Sequence, residues 1–270
     1  MRINGILVML LSAAAFGADK KYDLTQAQID DIVQKFAAKE LQFSKAREAY
    51  TYRQTARIQE LDDNGAITGR WETVSDIVFS TEGRRTERVV RSPVPSLRNI
   101  TLTPEDMEDM KSVQPFVLTT PDLPKYLIRY LGHQNVDEIG CYVFAVKPVK
   151  IEGNQRYFAG EVWVDDRDLQ IVKSYGRGVG SASRKSDNQF PKFETYREQI
   201  DGKYWFPTYT VANDTLHFKE LDQRIRQTIR YEDYKQFRAT TTITFGDEVD
   251  QPKQDPAKDQ KKAAPPPKKP

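Results

Sequence analysis

From Tyr50 onward the chain alternates apolar and polar residues in runs of seven to thirteen, and tight-turn residues rather than helices join the runs. A parallel sheet needs a helical crossover between its strands, so this pattern excludes a parallel α/β fold and predicts antiparallel meanders. Residues 50–61 (YTYRQTARIQEL) put Tyr50, Tyr52, Ala56 and Ile58 on one face and Arg53, Arg57 and Gln59 on the other. Asp63-Asn64-Gly65 is a hairpin signal, and Ile67–Phe79 returns with Ile67, Trp71, Ile77 and Phe79 on one parity. A turn at Thr81-Glu82-Gly83 leads into Arg85–Arg91.

A second meander is expected from Cys141–Lys147, Tyr157–Val164, the turn Asp165–Asp168, and Leu169–Tyr175. After a Gly/Ser loop at 176–186 come Lys192–Ile200, the turn Asp201-Gly202-Lys203, Tyr204–Ala212 and Ile225–Tyr234, with Thr241–Phe245 closing the series. The total is nine or ten strands and a mainly β fold of the α+β kind.

Two helical segments interrupt this. At residues 25–43 a capping box, Thr25 with Gln28, precedes Ile29, Ile32, Val33, Phe36 and Ala37 on one face. The opposite face is polar, so the helix lays one stripe on something else. Between the meanders, Thr103-Pro104-Glu105-Asp106 opens a short helix to about Lys111, and 121–127 holds another turn. Such an insertion is suited to cover an open end of the sheet.

Both ends differ from the middle. Residues 1–17 read as a secretory signal peptide: Arg2, an apolar run Ile6–Phe16, then Ala15-Phe16-Gly17 placing cleavage before Ala18. The run is shorter than the roughly 20 residues that span a bilayer, and no Cys follows it as a lipoprotein signal would require. The mature product is expected to be soluble and periplasmic. Residues 246–270 are Lys/Pro-rich and are expected to be disordered, with six Lys against two Asp in 251–270. The folding domain is therefore 18–245.

Composition limits the chemistry. With one cysteine, Cys141, and two histidines, His133 and His217, a Cys-rich or His-rich metal centre and an internal disulfide are excluded. A net charge of +2 from 41 basic and 39 acidic residues argues against a nucleic-acid binder. Gly176-Arg177-Gly178-Val179-Gly180 lacks phosphate-loop spacing, and Asp165, Asp166 and Asp168 lack the Gly and Glu that complete a calcium loop. No nucleophile–base pair or paired carboxylates are readable from spacing, so no catalytic residues, metal or cofactor are expected and the chain reads as a non-enzyme. The inward parities hold Tyr50, Tyr52, Trp71, Phe79, Phe144, Phe158, Trp205 and Tyr209, with Ile29, Val33 and Phe36 of the helix above them as a lid. Pattern alone leaves open whether these line a ligand cavity or form a core filled by its own side chains.

Residues 157–176 (YFAGEVWVDDRDLQIVKSYG) and 193–211 (FETYREQIDGKYWFPTYTV) resemble the LolA/LolB-like periplasmic lipoprotein-carrier superfamily, including outer-membrane lipoprotein-sorting-like proteins. The resemblance covers about 130–250, and the first half in architecture only. It implies a strongly curved antiparallel half-barrel, lidded by helices, that carries lipoprotein acyl chains or another lipid without covalent chemistry; the chain is separately expected to be a monomer. Gln54, Thr73, Ser75 and Thr195 on the inward parities imply a smaller or more polar concavity. The alternative on the same scaffold is an envelope interaction or sensing module, without a ligand cavity, whose partners are envelope membrane proteins.

Overall fold

The structure is a computed structural model that describes residues 23–80, 82–180 and 189–237; the leader, the strand expected at 241–245 and the tail lie outside the described residues. Helix α1 spans Gln26–Arg47 and begins with the expected capping box, Gln28 N–H donating to Thr25 Oγ1 and Thr25 N–H to Gln28 Oε1. Strands β1 (Tyr50–Leu61), β2 (Ile67–Phe79) and β3 (Arg85–Arg91) form the first meander. The β1–β2 turn is shaped by Asp62, whose carboxylate accepts from the amides of Asn64 and Ala66, and by Gly65 at φ 81°.

Helix α2 (Pro104–Glu108) runs on into a wider π-turn at Asp109–Val113, and a 3-10 turn follows at Thr120–Lys125. The second meander is β4 (Tyr126–Val136), β5 (Ile139–Pro148), β6 (Arg156–Asp165), β7 (Ile171–Gly180), β8 (Phe193–Gln199), β9 (Trp205–His217) and β10 (Asp222–Gln236). Three of these depart from expectation, one being β9, which runs on from Ala212 to His217. Strand β4 replaces what reads as connecting chain. Strand β7 runs on through Gly178 to Gly180, where a loop was expected from Gly176; residues 181–186 of that loop lie outside the described residues.

All ten strands form one antiparallel sheet in the order β3-β2-β1-β10-β9-β8-β7-β6-β5-β4, which does not close. Six bulges or register shifts interrupt the ladders, and each sharpens the local twist, so the sheet bends into a half-barrel. The topology then dictates a crossing. Strands β3 and β4 are the two edges, so the chain between them, residues 92–125, has to traverse the sheet. It does so on the concave side, beside α1, as a strap.

The core follows from this layering. Phe36 and Ala37 of α1 and Val113, Phe116 and Leu118 of the strap pack on Phe144, Val146, Phe158, Val162, Val164, Ile171 and Phe193 of the sheet. A second cluster joins Tyr52, Ala56, Ile58, Ile77, Ile229 and Tyr231 with Met110 of the strap. A third, Cys141, Val143, Trp163 and Val172, lies on the outer face.

Candidate functional site

The lid residues and most of the expected cavity residues do meet on the concave side. Ile29 and Val33 pack against the main cluster, and the ring of Phe36 lies 5.4 Å from that of Phe144. Phe116 of the strap stacks on Phe158, with ring centres 4.3 Å apart and planes at 23°. Tyr52, Trp71 and Phe79 join the second cluster, and Tyr50 packs with Phe43 and Phe206 at the far end of α1. Helix and strap thus fill the part of the concavity where these aromatics lie.

Strand β9 runs with the opposite parity to that expected. Phe206 faces α1, with its ring edge-on to Phe43 at 5.2 Å and 4.7 Å from Tyr50. Trp205 turns outward onto the third cluster, its indole donating to Asp168 Oδ2 at 2.8 Å, and Tyr209 lies outside beneath the Arg230 guanidinium. In a Trp-Phe pair hydrophobicity alone does not choose the inward residue; the buried space beside Phe43 takes the ring without a polar edge.

A cavity of about 170 Å3 lies elsewhere on the concave side, between the strap and the ends of β1, β9 and β10. Its apolar wall includes Ile58, Met110, Phe193, Leu216 and Ile225, and its polar wall Asn99, Asp106, Gln114 and Gln227. The strap is held over it by bonds that cross long stretches of chain. Asn99 Nδ2 donates to Gln223 Oε1 at 2.6 Å, and Gln227 Nε2 to Gln114 Oε1 at 3.1 Å. Asp106 caps α2 through the amide and hydroxyl of Thr103, both at 2.8 Å, and burial at the cavity wall raises its carboxyl above the ordinary range.

Three buried charged groups pin the strap. The Glu60 carboxylate, fully buried on β1, accepts from the backbone amides of Arg98, Asn99 and Ile100 at 2.7–3.0 Å. Gly69 leaves room for it: a Cβ there would meet Glu60 Oε2 and sit 2.7 Å from the Ser96 carbonyl. Further along, Arg156 of β6 donates through Nε to Asp109 Oδ1 at 2.7 Å and through Nη2 to Oδ2, with its plane 3.8 Å from the Phe190 ring centre. Gly178 is required opposite, since any Cβ would enter the space of that carboxylate and guanidinium, and this explains a glycine inside β7. Last, Arg197 of β8 reaches both oxygens of Glu40 in α1, at 3.2 and 3.1 Å, and donates to the Phe116 carbonyl. Helix, strap and sheet meet at this guanidinium. Burial is the largest influence on Glu40 and holds its carboxyl above the ordinary range, against the opposing pull of Arg197.

Sequence reasoning missed all three pins. One signal was present: Glu40 falls on the stripe that contains Ile29, Val33 and Phe36, and a carboxylate on an apolar helix face needs a buried partner. The remaining candidate groups are placed plainly. Cys141 is buried on the outer cluster, and burial pushes its thiol up to about 12. His133 Nε2 is 3.0 Å from Asp166 and His217 Nδ1 is 2.8 Å from Asp222, at separate places on the sheet. Among the described residues no group of three or more His, Cys, Asp or Glu is arranged to hold a metal ion, and no helix is long and apolar enough to cross a membrane.

No family model and no curated protein matches this sequence. The chain is similar in structure to a LolA superfamily protein from Nitrosomonas europaea, at 13% identity and a TM-score of 0.35 over 77% of this chain and 93% of that one. A DUF1329 family protein from Desulfovibrio piger matches at 13% identity and a TM-score of 0.37 over 76% and 92% of the two chains. An outer membrane lipoprotein-sorting protein domain from Vibrio parahaemolyticus matches at 11% and 0.35 over 80% and 96%.

Proposed function

We propose that this chain is an exported, non-catalytic binding protein that takes a slender hydrophobic ligand between the strap and β9–β10. The observation that carries the reading is the cavity of about 170 Å3 with its apolar wall of Ile58, Met110, Phe193, Leu216 and Ile225. An engineered apolar cavity of about 150 Å3 is enough to hold benzene, so this one seats one ring or the end of a single alkyl chain, and because it opens to solvent the rest of a longer ligand projects from its mouth. A ligand with several acyl chains, as in a lipoprotein, needs the strap to lift, and that means unfastening buried charges. Asp106 on the wall disfavours an anionic head, which selects for a neutral or amine-bearing ligand. Each methylene buried contributes about 0.8 kcal/mol, so affinity requires no covalent step.

The test is titration with the uncharged fluorophore N-phenyl-1-naphthylamine. The reading expects one probe per chain, and Leu216→Trp, which fills the cavity, weakens binding about tenfold or more while the thermal melt stays cooperative. Absence of binding, or equal binding by Leu216→Trp, overturns it. A second reading is favoured by the packing of Phe36 on Phe144 and Phe116 on Phe158. In it, the concave face is a closed core and the chain acts as an envelope interaction module through its surfaces; a probe that never binds would favour that role.

A further inference from the structure

The outer face of β4–β6 carries a groove of about 470 Å3 that the binding reading leaves unused. Its floor is made of small residues, Ala145, Ala159 and Gly160. Register places Leu127 directly across from Lys147, and Val149 N–H bonds the Lys125 carbonyl, so Leu127 and Val149 are neighbours at one corner of the sheet, with Ile151 two residues further along the chain. They are left in solvent: Leu127 is 51% exposed, Val149 55% and Ile151 52%, with Leu131 at the β4 bulge also exposed. Several exposed aliphatics together, on an edge hairpin, exceed the scattered single residues of an ordinary surface.

Charge around the groove is one-sided. Arg129, Lys147 and Arg177 are exposed and, among the described residues, have no carboxylate within 4 Å, while Lys125 and Lys150 nearby are neutralised by Asp122 and Glu152. Arg177 lies across β6–β7 from Ala159, and Glu161, across from Ala145, is the one carboxylate in these rows. Aliphatic side chains ringed by unpaired cations are complementary to a surface that is apolar beneath and anionic at its boundary. We infer that this corner docks the chain onto an anionic lipid bilayer, with Leu127, Val149 and Ile151 entering the headgroup boundary and Arg129, Lys147 and Arg177 facing lipid phosphates.

Flotation of the full chain with vesicles tests this. Binding is expected to vesicles of phosphatidylglycerol and phosphatidylcholine and to fall about tenfold or more on phosphatidylcholine alone. Leu127→Asn/Val149→Asn and, separately, Arg129→Glu/Lys147→Glu should each lower binding to the anionic vesicles about tenfold or more, with unchanged thermal melts and unchanged naphthylamine binding. Equal binding by either double variant, or no flotation of the parent chain with anionic vesicles, overturns the inference. So does light scattering that finds a dimer dispersed by Leu127→Asn/Val149→Asn, because the corner is then an interface between two copies.

Discussion

Replacing Arg197 with Met removes a group of β8 that bonds both α1 and the strap. The guanidinium contacts both Glu40 oxygens and the Phe116 carbonyl, and without it Glu40 keeps one hydrogen bond, from the Ile171 amide at 3.1 Å, and the more distant charge of Arg47. Both side chains are at most 2% exposed, so water does not replace what is lost. Removing one partner of such a pair costs about 3–5 kcal/mol, against a total stability of about 5–15 kcal/mol for a typical domain. The cost depends on pH in a defined direction. Burial already holds the Glu40 carboxyl above its ordinary range, and losing Arg197 raises it further. A carboxyl with a raised folded pKa binds its proton more tightly when folded; that stability is complete below the unfolded value, near 4, and is lost as pH rises through the folded one. Arg197→Met is therefore expected to cost about 3–5 kcal/mol at pH 8 and markedly less at pH 5, as read by urea unfolding. Adding Glu40→Gln removes the stranded charge and should recover at least about 1.5 kcal/mol at pH 8. A cost under about 1 kcal/mol at both pH values, or a double variant no better than Arg197→Met, would refute the view that this pair fastens the lid.

The other pins make their own predictions. Gly178→Ala drives a methyl into the Asp109–Arg156 pair and should cost about 2–3 kcal/mol, lowering the thermal midpoint by about 5–10 °C; an unchanged melt contradicts the packing reason for a glycine in β7. Glu60→Gln weakens the bonds from the amides of residues 98–100 and should cost about 2 kcal/mol, with faster hydrogen exchange at those amides and not at β5; equal protection there would mean that the strap is held by other contacts. Cys141, buried and with its thiol raised to about 12, should be inert to a thiol reagent in buffer and react fully in urea; reaction at the native rate of an exposed thiol would place it wrongly.

What the sequence made legible follows from locality. Hairpins such as Asp62–Ala66, the capping box at Thr25 and the helix start at Pro104 are written within four residues, and clean alternation marks β1 and β2. Strand β4 escaped because it is apolar on both parities: Ile128 and Tyr130 pack inward while Leu127 and Leu131 face out. The extension of β7 was hidden by glycines that are normally depleted in strands and here make space for groups on other elements. The cavity was the least readable feature. Most of its polar wall comes from the strap, and the bonds that place it join residues such as Asn99 and Gln223, which are 124 positions apart. No periodicity encodes such a pairing. The aromatics that parity named on β1, β2, β5 and β6 lie in clusters with the helix or the strap, where they are largely the side chains that close the concave face.

The most direct test of the account is whether hydrophobic ligand enters the cavity beside Leu216. Titration with N-phenyl-1-naphthylamine is predicted to give one site per chain in the parent protein and at least about tenfold weaker binding in Leu216→Trp, both folding cooperatively. Equal affinity in the two chains, or no binding to the parent, would contradict it.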